Sequence, residues 1–113
     1  MRTTEERLRD MRDAIDAAFR HLPSGRSDFE ADEVVRFFLL KQVEIIGEAA
    51  FKISKDFKTA HSEIPWRKIE GTRHILVHDY FDVNWDTLWD IVTLHLEPLR
   101  KQVDDLLERL GAG

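Results

Sequence analysis

Apolar residues return every three or four positions along most of this chain, the spacing of one face of an α-helix. Leu8, Met11, Ile15, Phe19 and Leu22 form the first such stripe. Thr3-x-x-Glu6 stands in front of it as a capping box, with the Thr oxygen accepting a free N–H and the Glu reaching back. The pattern predicts a helix over about residues 4–21, stopped by Pro23-Ser24-Gly25. Ser27-x-x-Glu30 repeats the capping signature and predicts a longer helix over about residues 28–54. Its stripe is Val35, Phe38, Leu39, Ile46, Ala49, Ala50 and Ile53, and Phe37, Leu40, Val43 and Ile45 spread apolar surface beyond it. A helix apolar on more than one side is buried on more than one side. In a chain this small, that breadth points to a second protomer.

Residues 55–64 read as polar and irregular. Pro65 suits the first turn of a third helix, where its missing N–H costs nothing. That helix carries Trp66, Ile69, Arg73, Leu76 and Val77 and is expected to end near His78–Tyr80. Asn84 is a good N-cap for the last helix, with Asp86 favourable near its positive end. Trp85, Leu88, Val92, Leu96, Leu99, Val103, Leu106 and Leu110 give it a long stripe. Pro98 interrupts this stripe and predicts a kink, because it cannot donate to the carbonyl four residues back. No alternation of the strand type occurs. The expectation is one all-α domain over 1–113, an up-down bundle of four to five helices that dimerises through its long helices.

Composition narrows the function. The chain has 113 residues, no cysteine and a net charge of −5. Disulfides and thiolate metal sites are excluded, and a reducing compartment fits. The opening MRTTEERLRD lacks the apolar stretch of a signal peptide. No apolar run approaches membrane-spanning length. A cytoplasmic, soluble protein without membrane association is expected. Negative charge argues against extensive groove binding to duplex nucleic acid, while a small cationic pocket for one phosphodiester is allowed. The charge is uneven: His61 to Tyr80 holds Arg67, Lys68, Arg73 and three of the five histidines, against Glu63, Glu70 and Asp79.

Arg73-His74-Ile75-Leu76-Val77-His78-Asp79-Tyr80 concentrates the chemistry, and Tyr80 is the sole tyrosine. A permanent cation, a group titrating near neutral pH and a phenol suit phosphate chemistry. Arg73 shares a stripe with Trp66 and Ile69, where a guanidinium is costly unless paired or facing a partner. It either pairs with an acid such as Glu48 or faces a cleft and binds phosphate. Five residues separate Arg73 from His78, about 140° on an ideal helix. Either the helix ends before His78 or two protomers combine their residues. His74 and His78, four apart, could bind zinc, but a zincin's intervening glutamate is missing and no third ligand stands out. In an extended segment, residues 78 and 80 would point to the same side. Trp66, Trp85 and Trp89 read as core anchors, and Asp82, Asp86 and Asp90 as a solvated face.

Ile64-Pro65-Trp66-Arg67-Lys68-Ile69, then Arg73-x4-His78-x-Tyr80 with Phe81-Asp82-Val83, then Trp89 and Leu96-x-Pro98-Leu99, resembles the HepT-like toxins of the HEPN group of helical domains. Ile45-Ile46-Gly47-Glu48-Ala49-Ala50 is similar to that family's long second helix. The resemblance implies the toxin half of a prokaryotic toxin–antitoxin module, a metal-independent RNase whose site forms at a homodimer interface. It implies Arg73 and His78 as catalytic residues, with His74 supporting. Tyr80 takes the position to which a MntA-like nucleotidyltransferase antitoxin attaches AMP, silencing the toxin. No cofactor or metal is implied. His74 stands where the family often has asparagine, and Asp79 where it often has glycine. The chemistry fits independently. RNA supplies its own nucleophile, so His78 would move protons and Arg73 would hold charge on phosphorus. The alternative is a non-catalytic helical adaptor that dimerises and binds a nucleotidyltransferase. A structural bundle with an incidental Arg–His cluster is the third reading.

Overall fold

The computed structural model describes residues 2–74 and 82–112. Every regular element among them is helical: α1 Thr4–Arg20, α2 Arg26–Ala31, α3 Glu33–Lys52, α4 Lys55–Ala60, α5 Trp66–Gly71, α6 Trp85–Asp90, a π-helical turn Ile91–His95, and α7 Leu96–Ala112. The expected all-α bundle is what the chain forms, in more and shorter pieces.

α1 begins as its sequence requires. The Glu6 N–H donates to Thr3 Oγ1 at 3.1 Å and the Thr3 N–H donates to Glu6 Oε1 at 3.1 Å, closing the capping box. Its stripe of Leu8, Met11 and Ile15 is fully buried against α3 and α7. Arg100 on α7 reaches Asp16 on α1 through Nε at 2.7 Å and a second nitrogen at 3.2 Å, a paired contact that fixes the two helices' register.

The continuous helix expected over 28–54 is divided. Ser27 lies inside α2, Gly25 takes the N-cap position without a side-chain bond, and the chain turns at Asp32 (φ −119°, ψ 95°). Asp32 wins because its carboxylate accepts from the Val35 N–H at 3.1 Å and opens a new helix. Arg36 then donates to the carbonyl of Phe29 at 3.2 Å and to that of Glu30. These bonds satisfy acceptors that the break leaves open. The turn lets Phe29 go fully inside, 4.9 Å from the Trp89 ring centroid and 6.4 Å from that of Trp85.

α3 is the central helix. Leu39, Leu40, Val43, Ile46 and Ala50 are buried, with α1 on one side and α5 on another. Of its wider apolar surface, Leu40 and Val43 are covered within one chain, whereas Val34, Phe37 and Phe51 stay exposed at 80%, 36% and 47%. Two further differences concern residues 55–74. The stretch expected to be irregular contains α4, capped by Ser54 accepting from the Phe57 N–H at 3.2 Å. α5 breaks at Gly71 into a turn at Thr72 and Arg73, and His74 is helical again, while the helix end expected near His78–Tyr80 lies outside the described residues.

Asn84 caps α6, accepting from the Thr87 N–H at 3.0 Å. The kink expected at Pro98 is preceded by the π turn, in which the Leu96 N–H reaches back to the Ile91 carbonyl. Pro98 has no N–H for Leu94, so this stretch already departs from the regular ladder. No helix among the described residues is long and apolar enough to cross a membrane.

Candidate functional site

Gly47 decides where Arg73 sits. It is buried in α3, and a Cβ built on it would lie 2.8 Å from Thr72 Oγ1, 3.0 Å from the Arg73 backbone nitrogen and 3.1 Å from the Ile69 carbonyl oxygen. Only a residue without a side chain lets the end of α5 press this close to α3. Thr72 closes the seat, its hydroxyl donating to the Ile69 carbonyl at 2.6 Å. From there the Arg73 guanidinium lies over the Phe51 ring, 3.5 Å from its centroid. That is a close cation–π contact on a ring 47% exposed. Glu48, the acid considered as its partner, lies 4.0 Å from Lys52 instead, and among the described residues no ion pair joins it to Arg73. Arg73 is thus held by its backbone seat and an aromatic face, with its charge left at the surface.

A cleft of about 520 Å³ opens beside it, lined by Lys55, Lys58, Arg67, Glu70, Arg73 and His74. Lys58 builds its wall. The ammonium donates to the carbonyls of Ala50 at 3.2 Å and Phe51 at 3.4 Å, and to the Glu70 carboxylate at 3.1 Å. One cation thereby caps the C-terminus of α3 and ties α4 to α5. Trp66 fixes the same corner from below, its indole N–H donating to the His61 carbonyl at 2.9 Å. Four permanent cations and one carboxylate meet here, on a chain whose net charge is −5. The arrangement can bind a phosphate and hold negative charge that develops on it.

Of the residues singled out in the sequence, Arg73 and His74 lie together on this cleft. His78, which is also the second histidine of the zinc pair, and Tyr80 lie outside the described residues. Among the described residues no group of three or more His, Asp or Glu is placed to hold a metal ion. Lys55 and Lys58 went unnoticed because residues 55–64 read as irregular. The signal was Ser54 as an N-cap and the three-residue spacing of Lys52, Lys55 and Lys58. A second groove of about 570 Å³, between α3, α5, the π turn and α7, is lined mainly by apolar residues such as Val43, Ile46, Ile69 and Leu99. It has less to offer a phosphate.

The family model for "Ribonuclease HepT-like" matches residues 7–106. This chain belongs to the HepT-like ribonuclease family. Within it, the chain is 39% identical over 79 residues to "Probable ribonuclease HepT" of Thermococcus cleftensis, covering 70% of this chain and 72% of that protein. It is 38% identical over 82 residues to "Putative RNase TTE0752" of Caldanaerobacter subterraneus subsp. tengcongensis, covering 73% of each. No solved structure matches the chain significantly. The HepT-like match spans α1 through most of α7, so the cleft and Arg73 fall inside the shared domain.

Proposed function

We propose that this HepT-like protein is a metal-independent endoribonuclease acting as the toxin of a toxin–antitoxin module. The observation that carries the reading is the family match together with Arg73 seated beside a cationic cleft. A base takes the proton of a ribose 2′-hydroxyl, the 2′-oxygen attacks phosphorus, and the 5′-oxygen leaves as it gains a proton. The products are a 2′,3′-cyclic phosphate and a 5′-hydroxyl. His78 is the general acid/base, since an imidazole holds and releases protons near neutral pH. Arg73 holds the extra negative charge on the phosphorane-like state through paired N–H donors. One His78 per chain and two proton transfers per turnover favour a homodimeric site with one protomer supplying the base and its partner the acid.

Regulation follows from Tyr80. AMP attached to its phenol by a MntA-like nucleotidyltransferase antitoxin adds a phosphodiester anion two residues from His78. That anion competes for the cationic site and the nucleoside obstructs RNA.

Purified protein incubated with RNA in EDTA tests the reading. Wild type cleaves, and Arg73→Ala and His78→Ala lose about 10²-fold or more, the usual scale for a charge-stabilising or proton-transferring group. Strict dependence on added divalent metal, or full activity in both variants, refutes it. Harmless expression of wild type alongside a stable complex with the transferase would favour the adaptor.

A further inference from the structure

We infer that Lys55 and Arg67 form a phosphate track that guides single-stranded RNA towards Arg73. The inference deepens the ribonuclease reading and rests on it for the identity of the polyanion. Of the four permanent cations on the cleft, Lys58 is neutralised by Glu70 and engaged with two helix carbonyls. Lys55 and Arg67 differ: both are exposed, and among the described residues neither side chain takes part in an ion pair or hydrogen bond. Many cations elsewhere on the surface are paired, as in Arg2 with Asp10, Arg9 with Glu5, Arg26 with Asp86, Arg100 with Asp16 and Arg109 with Asp105. Two uncompensated charges brought to one concavity by α4 and α5, next to Arg73, are what a run of consecutive phosphates requires.

The limited size of the patch selects the ligand. A duplex spreads its charge over a surface that this acidic chain would repel beyond the cleft. A single strand can enter with a few phosphates and leave the rest in solvent. Lys55 and Arg67 share the cleft with Arg73, and as positioning residues they hold the strand while Arg73 and His78 act on the bond.

Affinity for a non-cleavable 2′-O-methyl oligonucleotide, measured by fluorescence anisotropy across a salt series, tests this without depending on catalysis. Each phosphate contact on a single strand contributes about 0.7 to the log–log salt slope. Lys55→Gln/Arg67→Gln should lower the slope by about 1.4. Between 50 and 200 mM salt, the double variant should then lose about sevenfold less affinity than wild type loses. With cleavable RNA, the effect should appear chiefly in KM. Lys101→Gln/Arg109→Gln, on α7 and with the same change in net charge, should leave the slope at the wild-type value. An unchanged slope in the first pair, an equal fall in the control pair, or no binding by wild type overturns the inference. The expected slopes with no cleavage of unmodified RNA would leave the track standing and sink the ribonuclease reading instead.

Discussion

Gly47→Ala isolates the link between packing and chemistry. In a helix interior, alanine is favoured over glycine by about 1 kcal/mol. Here the new methyl would meet Thr72 Oγ1 at 2.8 Å, the Arg73 nitrogen at 3.0 Å and the Ile69 oxygen at 3.1 Å, where ordinary contact begins at 3.4 Å. Two of the three atoms are backbone, so no side-chain rotation relieves them, and Thr72 Oγ1 is held by its bond to Ile69. The end of α5 must retreat from α3 by roughly 0.3–0.6 Å, a strain of about 1–3 kcal/mol. Set against the propensity gain, the net loss of stability is about 0–2 kcal/mol. Function should suffer more, because a misplacement near 1 Å can cost about 10²-fold in rate. We expect about a tenfold fall in kcat/KM. Urea unfolding followed by tryptophan fluorescence gives the stability, and cleavage of a quenched fluorescent RNA gives the rate. Gly111→Ala, whose Cβ meets nothing within 4 Å, controls for helix propensity. Gly47→Ala with wild-type cleavage and a full 1 kcal/mol gain in stability would show that α5 does not rest on this glycine.

Three further outcomes follow from individual contacts. Lys58→Ala removes the bond to Glu70 and those to the Ala50 and Phe51 carbonyls, and should cost about 1–3 kcal/mol in urea unfolding; an unchanged midpoint would mean that water replaces the ammonium at no cost. Thr3→Ala should lower stability by about 1 kcal/mol as the α1 cap is lost, read by thermal melts. The bond from the Thr3 N–H, then that from its hydroxyl, holds the Glu6 carboxyl below its ordinary value. A depressed carboxylate stabilises the fold above its unfolded pKa, and that contribution disappears as pH falls through the folded one. The gap between wild type and Thr3→Ala should therefore narrow in acid, and a gap that widens would contradict the capping geometry.

The legible parts of the sequence were those with long, uninterrupted spacing. α1 carries four stripe residues behind a capping box, and the stripe from Trp85 to Leu110 crosses the π turn on two successive four-residue steps, Leu88 to Val92 to Leu96, which suit its wider turn. Local competition was harder to see. Asp32 could cap a new helix or sit on the surface of an old one, and only the burial of Phe29 against Trp89 decides between them. α4 has one apolar anchor, Phe57, packed 4.4 Å from the His61 ring and 6.4 Å from Trp66, too little to make a stripe. α5 breaks at Gly71 for a two-residue turn at Thr72 and Arg73 before His74 is helical again, an interruption that a continuous three-four spacing does not reveal.

At the site, Arg73 was visible as a guanidinium on an apolar stripe, while its support was not. Phe51 and Gly47 are 22 and 26 residues upstream on α3, a juxtaposition that no local pattern contains. The cations of α4 were hidden by the same failure that hid the helix. His78 and Tyr80 remain expectations of the resemblance, and variants at those positions will decide their roles.

The central claim is that the RNA attacks itself while the protein holds charge and moves protons. A short RNA that wild type cuts at a mapped bond, remade with a single 2′-deoxyribose on the 5′ side of that bond, addresses it directly. The account predicts that cleavage there stops while binding is unchanged, and that the unmodified strand yields a 2′,3′-cyclic phosphate in EDTA. Cutting at the deoxy position at the wild-type rate would contradict it.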